Sequence, residues 1–430
     1  MKKLKMFLAP LFVLTLALML LTGCAADTPA PAPEAPAPAP EAPAAEAPAA
    51  EEPAQEPEAP ATDDGEVSNL EASLALMEAS VNVMSTDGQP LMPPLTVGQA
   101  PPRPDDPSAL DDYDLLRWFD MEFAGLEPHE KVNIPPSPGD GSIGKHVIVI
   151  VHGDHPWTTA YENGARKAAE ALGMTIDVWS PNWDVAMQNQ LIEQAIIANP
   201  DAIGIIPLSA EGAVMQFRTV NEAGIPVFGT NTLPTSEAMP YMVTWTGPDD
   251  WGQMRMMARA LAERMGNEGG IAYVTHNPGT SPYFARMWGP RTELRSIAPN
   301  IRTLDFQSPG FDAPATRQVV ADWITRFGDE INAIFLADDD PQAIGTVDAL
   351  RAAGREDIIV VAAGNSRQGM TLVQEGAIYV VNYQTAEGDG AAVVRSMADF
   401  FNGVQLPAVA YLAQDLIFQA DVDNFLPPQW

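Results

Sequence analysis

From residue 145 onward, short unbroken apolar runs alternate with longer amphipathic segments, and this alternation restricts the chain to few folds. Residues 145–151 read KHVIVIV, rich in β-branched side chains. Such a run suits a parallel strand covered on both faces. A helical pattern over 157–172 then stops at Gly173, a residue suited to the left-handed turn that ends helices. Strands are expected at 174–179, 202–206, 226–230 and 242–245, with helices at 184–198 and 210–223 between them. After Trp245 the rhythm restarts: helices at 249–265, 283–297, 313–327 and 341–353 separate strands at 271–275, 301–306, 333–336 and 358–362. A short helix from Ser366, a strand at 378–381, a helix at 388–401 and an apolar stretch at 409–418 complete it. A series of this kind builds parallel sheets covered by helices. The count predicts an α/β chain of two doubly wound parallel-sheet lobes of similar size.

The first residues are of a different kind. Met1-Lys2-Lys3-Leu4-Lys5 precedes an apolar run at 6–21 and then Leu21-Thr22-Gly23-Cys24. A basic start, an apolar run too short to span a bilayer and small residues before a cut make residues 1–23 a secretory signal. The Leu-Thr-Gly-Cys spacing resembles the lipobox of bacterial lipoproteins, which implies lipidation of Cys24, the only cysteine in the 430-residue chain. Its use as an anchor leaves no disulfide, so stability must come from a core. Residues 24–66 repeat Ala and Pro with interspersed Glu, as in Pro31-Ala32-Pro33-Glu34, and are expected to be a disordered, extended tether. The formal charge of −34 opposes nucleic acid as a partner.

Residues 67–144 carry mixed signals. Leu70, Leu74, Met77 and Val81 recur at helical spacing, and Ser108 is placed to cap a second helix bearing Leu115, Leu116, Trp118 and Phe119. Proline pairs at Pro93-Pro94, Pro101-Pro102 and Pro135-Pro136 interrupt the rest. The expectation is a partly helical segment whose aromatic helix packs on its own globular part, in preference to docking a partner.

Within the globular part, His155-Pro156-Trp157, Asn163-Gly164-Ala165, Gly224-Ile225-Pro226-Val227, and Ala333-Ile334-Phe335 followed by Asp339-Asp340 and Ala343-Ile344-Gly345 resemble the type I periplasmic binding proteins, which include the ribose-binding protein. The resemblance covers 145 to about 418. It implies two lobes joined by a three-crossover hinge: lobe one from 145–246 plus 388–406, lobe two from 247–382 plus 408–430, with crossovers near Trp245, Tyr383 and Pro407. It further implies the substrate-binding lipoprotein of a bacterial ABC importer, an extracytoplasmic monomer that is lipid-anchored to the cell membrane and serves a membrane permease. A ligand-binding co-receptor signalling to a membrane partner is the alternative. Lactose-type repressors share the fold, but a lipobox and an acidic tether stand here where they carry a DNA-binding headpiece.

Ligands of open α/β sheets bind beyond the carboxyl ends of the strands. Residues just past those ends that are expected to touch ligand are Asp154, Trp157, Asn231, Phe311, Asp339, Asn365 and Gln384, with Arg286 or Trp288 taking the position of the family's arginine. Aromatic faces mixed with amides and carboxylates suit a small polyhydroxylated ligand such as a monosaccharide. The family's Asp-Arg pair reads Asn231-Thr232 here, and the carboxylate expected near Gly364-Asn365 is missing, which argues against ribose itself. The five histidines fall in no metal-binding spacing and no Gly-x-Ser-x-Gly elbow occurs, so neither cofactor, metal nor catalysis is expected.

Overall fold

The computed structural model describes residues 67–127 and 129–430; the expected signal, Cys24 and the 24–66 tether lie outside them. The first described helix, α1 (Asn69–Ala79), is capped by Ser68, whose side chain accepts the Glu71 N–H. Of its expected stripe only Met77 is buried, while Leu74 and Val81 are exposed. The second expected helix shrinks to α2 (Phe119–Glu122). Ser108 lies instead in a 3-10 turn capped by Asp106. The cause is local: Asp106, Asp111 and Asp114 each accept the backbone N–H two residues on, at 3.0, 2.9 and 2.8 Å, and such Asx turns compete with helix.

Strand and helix then alternate. Lobe one is β1 (His146–Ile150), α3 (Pro156–Ala171), β2 (Thr175–Trp179), α4 (Val185–Ala198), β3 (Ala202–Ile205), α5 (Ala213–Glu222), β4 (Val227–Thr230) and β5 (Trp245–Gly247). Lobe two is α6 (Asp250–Met265), β6 (Glu268–Val274), α7 (Ser281–Ile297), β7 (Asn300–Gln307), α8 (Ala313–Phe327), β8 (Ala333–Leu336), α9 (Pro341–Ala353), β9 (Ile359–Ala362), α10 (Arg367–Gln374) and β10 (Val380–Asn382). The chain returns to lobe one for α11 (Ala386–Phe401) and β11 (Val409–Tyr411), and ends its strands with β12 (Leu416–Phe418).

The sheets run β11-β5-β4-β3-β1-β2 and β12-β10-β9-β8-β6-β7. Every pairing is parallel except β10 with β12. Val147 to Val151 are fully buried, as helices on both faces require. Placement of β11 beside β5 corrects one expected boundary. Residues 409–411 belong to lobe one, so the third crossover lies at 412–415 and not near Pro407. The crossovers are tied together: Leu412 donates to the Gly247 carbonyl at 2.9 Å, Tyr383 to that of Asp415 at 2.9 Å, and Gln414 Nε2 to Asp249 Oδ2 at 2.7 Å.

Helices α3 and α11 approach through Gly164 and Gly390, where a Cβ would overlap the carbonyls of Glu387 and Tyr161. That close approach sets α3, and with it Trp157, against the return of the chain from lobe two. The described residues of 67–144 form a strap over both lobes. Leu91 and Phe119 are buried, and Leu91 joins the lobe-one core around Trp157 and Ala386. Thr96 pairs with Tyr411 on the open edge of β11, with N–H···O distances of 2.8 and 2.7 Å. On lobe two, Trp118 stacks on Trp288 with centroids 4.8 Å apart, and Arg255 pairs with Glu122 at 2.6 Å.

Candidate functional site

The carboxyl ends of both sheets face one another across a cavity of about 310 Å³. Its rim is closed on one side by contacts between lobes: Leu233 donates its N–H to Ser281 Oγ at 3.0 Å, and the Ala210 N–H points to the Gly279 carbonyl at 3.5 Å. The volume is at the small end of ligand cavities and suits a molecule of monosaccharide size.

Lobe one contributes aromatic faces. Pro156 opens α3, and His155 caps it by accepting the Trp157 N–H on Nδ1 at 3.1 Å, which leaves Nε2 to carry the ring hydrogen. The cap places Trp157 in the first turn, at the cavity wall. His152 at the end of β1 stacks on Trp183 at 4.5 Å and meets Trp157 at 5.5 Å. From lobe two, Phe311 stands edge-on to His276 at 4.9 Å, and Trp430 faces His155 at 5.9 Å. Burial holds all three imidazoles in the neutral form, with His152 pushed down to about 3 and His276 well below the ordinary range. They act here as flat hydrogen-bonding walls. The indole N–H groups of Trp157 and Trp430 are buried and find no acceptor among the described residues.

Polar groups converge from both lobes. Asn231, at a positive φ of 57°, lines the cavity and donates to Asp389 Oδ2 at 2.8 Å. Burial raises the Asp389 carboxyl to about 8, against the opposing effect of its hydrogen bond from Asn231. Arg286 lines the opposite wall and donates to Asp250 Oδ1 from Nη2 at 3.0 Å and to the Ala337 carbonyl at 2.8 Å. Its charge is therefore already paired. Trp288 turns away to the strap, so Arg286 is the residue on the cavity side of α7. Asp338 faces the cavity, accepts the Asp340 N–H at 3.0 Å, and is raised to about 6 by burial against the opposing pull of Arg286. Gln384, from the second crossover, completes the ring.

Of the eight expected ligand residues, Trp157, Asn231, Arg286, Phe311 and Gln384 line the cavity. Asp339, Asn365 and Asp154 do not. Asp339 is fully buried behind the wall, accepts the Ser366 N–H at 2.7 Å, and is roofed by Gly364 and Gly369, where a Cβ would overlap its carboxylate. Past the end of β8 successive side chains point to opposite sides, so the carboxylate facing the cavity is one residue earlier, at Asp338. Asp340 starts α9 without capping it by its side chain. Asn365 is buried behind the crossover, where its Oδ1 accepts the Gln384 N–H at 3.1 Å. Asp154 is exposed, with its carbonyl accepting from Trp183 Nε1 at 3.4 Å. Tyr383 points out of the cavity and donates to Asp87 Oδ2 at 2.9 Å. Trp183 and Trp430 were absent from the expected set. The first sits just past β2, where the strand-end rule would have found it; the second arrives from the far end of the chain with no local signal.

Among the described residues no helix is long and apolar enough to cross a membrane. The family model of a periplasmic binding protein domain matches residues 144–405. The xylitol-binding protein of Mycolicibacterium smegmatis is 25% identical over 233 residues, 54% of this chain and 65% of its own length. The ribose import binding protein of Bacillus subtilis is 23% identical over 292 residues, 67% of this chain and 91% of its own. A crystallised ABC transporter solute binding protein from Bacillus halodurans, with bound myo-inositol, is 22% identical with a TM-score of 0.61, covering 67% of this chain and 99% of that one. The paired parallel-sheet lobes are those of the type I fold, and the chain belongs to the periplasmic binding protein family.

Proposed function

We propose that this chain is the substrate-binding lipoprotein of a bacterial ABC importer, anchored outside the cytoplasm through lipid on Cys24, and that as a monomer it delivers a small neutral polyhydroxylated ligand to a membrane permease. The observation that carries the reading is the cavity between the lobes. Its aromatic faces match the C–H faces of a polyol, and its carboxylate and amides pair in both directions with hydroxyls. Arg286 is the one Arg or Lys on the described lining and is paired with Asp250, so a phosphate or dicarboxylate would find no uncommitted cation there. The xylitol, ribose and myo-inositol named for its relatives belong to the favoured ligand class. Binding, hinge closure and release need no covalent step, and we assign none.

A thermal-shift screen tests this reading. Monosaccharides and polyols, including xylitol and myo-inositol, are compared with amino acids, nucleosides and sugar phosphates. A rise in melting temperature confined to one or a few neutral polyols is expected; a response only to a charged class would overturn the reading.

A further inference from the structure

Trp430 forms part of the cavity wall, yet it, the Gln429 before it and the Asp87 that binds Gln429 all lie outside the 144–405 stretch matched by the family model. Its backbone carbonyl accepts the Arg367 N–H at 2.6 Å. The side chain before it, Gln429, is held on both ends: Oε1 accepts the Glu387 N–H at 2.9 Å, and Nε2 donates to Thr385 Oγ1 at 3.0 Å and to Asp87 Oδ2 at 2.9 Å. Asp87 comes from the strap, is 4% exposed, and is itself fixed by Ser85 Oγ at 2.5 Å and the Gln89 N–H at 3.2 Å on its other oxygen. The same Oδ2 accepts the hydroxyl of Tyr383, the neighbour of the cavity residue Gln384. One buried carboxylate thus joins the strap, the second crossover and the segment that carries Trp430. A charged acceptor shared by two donors is a strong and directional tie.

We propose that Asp87 is a positioning residue of the ligand site: acting through Gln429, the strap holds the Trp430 indole in the interlobe cavity, where its ring contacts the ligand. The proposal rests on the polyol reading for the ligand, but the placement of Trp430 does not. Loss of the Asp87 carboxylate removes one of the two acceptors of Gln429 Nε2, leaving Thr385, and frees the crossover hydroxyl, so the indole is held less firmly in its register against His155.

The test uses the full chain labelled with 5-fluorotryptophan, with the Trp430 fluorine resonance assigned by Trp430→Phe. In Asp87→Ala and in Gln429→Ala that resonance should move toward the solvent-exposed position without any ligand. An unmoved resonance in both overturns the proposal, and Gln429→Ala alone decides it if Asp87→Ala does not fold. Affinity for myo-inositol, xylitol and D-ribose is then measured. Trp430→Ala, Asp87→Ala and Gln429→Ala should each weaken the best of these probes about tenfold, the effect of roughly one lost ring contact. The double variant Asp87→Ala/Gln429→Ala should be no weaker than Gln429→Ala, because both act along one path. Additive losses, or unchanged affinity, contradict the proposal. If the unsubstituted protein binds none of the three probes, the polyol reading fails, while the fluorine shift still decides whether the strap positions Trp430.

Discussion

Replacing Asp338 by Ala should weaken ligand binding by a factor of about ten to a hundred, whereas Asp339→Asn should leave affinity unchanged. The two carboxyls are adjacent in sequence and both buried, but only Asp338 faces the cavity. One Asp338 oxygen accepts the Asp340 N–H, and the carboxylate sits within the field of Arg286, which favours its charged form. A hydroxyl of the ligand that donates to this group makes a hydrogen bond to a charged acceptor, worth roughly 1.5–3 kcal/mol, and each 1.4 kcal/mol is about a decade in affinity. Asp339 instead satisfies the Ser366 N–H at 2.7 Å under Gly364 and Gly369, so its substitution acts on packing and melting temperature. Titration calorimetry of both folded variants with the best polyol from the screen reads the difference directly. Unchanged affinity in Asp338→Ala, or loss of affinity in a fully folded Asp339→Asn, would refute the assignment of the cavity face.

Trp157→Ala should cost about 2 kcal/mol of binding, or roughly thirtyfold in affinity by calorimetry, through lost stacking area, and some stability because the ring also packs on Tyr161 at 5.3 Å. Binding should depend on pH with a definite sign. The Asp338 carboxyl stands at about 6 in the free protein, and donated hydroxyls favour its charged form and lower it in the complex. Affinity is therefore full above about pH 6 and is lost as pH falls below it; a flat affinity profile between pH 5 and 8 would contradict the role. Cys24→Ala should release the protein from the membrane fraction or leave its signal uncleaved, read by fractionation and intact mass, and unchanged attachment would sink the lipobox reading.

The strands of both lobes could be read from the chain because burial on two faces writes itself as unbroken β-branched runs such as 145–151. Strand ends then located Trp157, Asn231, Phe311 and Gln384. The run Asp338-Asp339-Asp340 was ambiguous by one residue, since sequence does not say on which side of a strand end each carboxylate emerges. β11 and β12 are three residues each and equally apolar, so only tertiary pairing assigns them to different sheets. Residues 67–144 were read only as partly helical because proline pairs interrupt any period. Their order comes from nonlocal burial of Leu91 and Phe119 and from the Thr96 bridge, none of which leaves a periodic trace. Trp430 is the extreme case: its neighbour Gln429 bonds Asp87, 342 residues away in sequence.

The most direct test of the whole account is titration calorimetry of the protein with myo-inositol, xylitol and D-ribose, set beside ribose 5-phosphate. Saturation of one site per chain by at least one neutral polyol, with no binding of the phosphate ester, is the predicted result; absence of heat with every polyol, or tighter binding of the phosphate ester, would contradict a cavity built for uncharged hydroxyls.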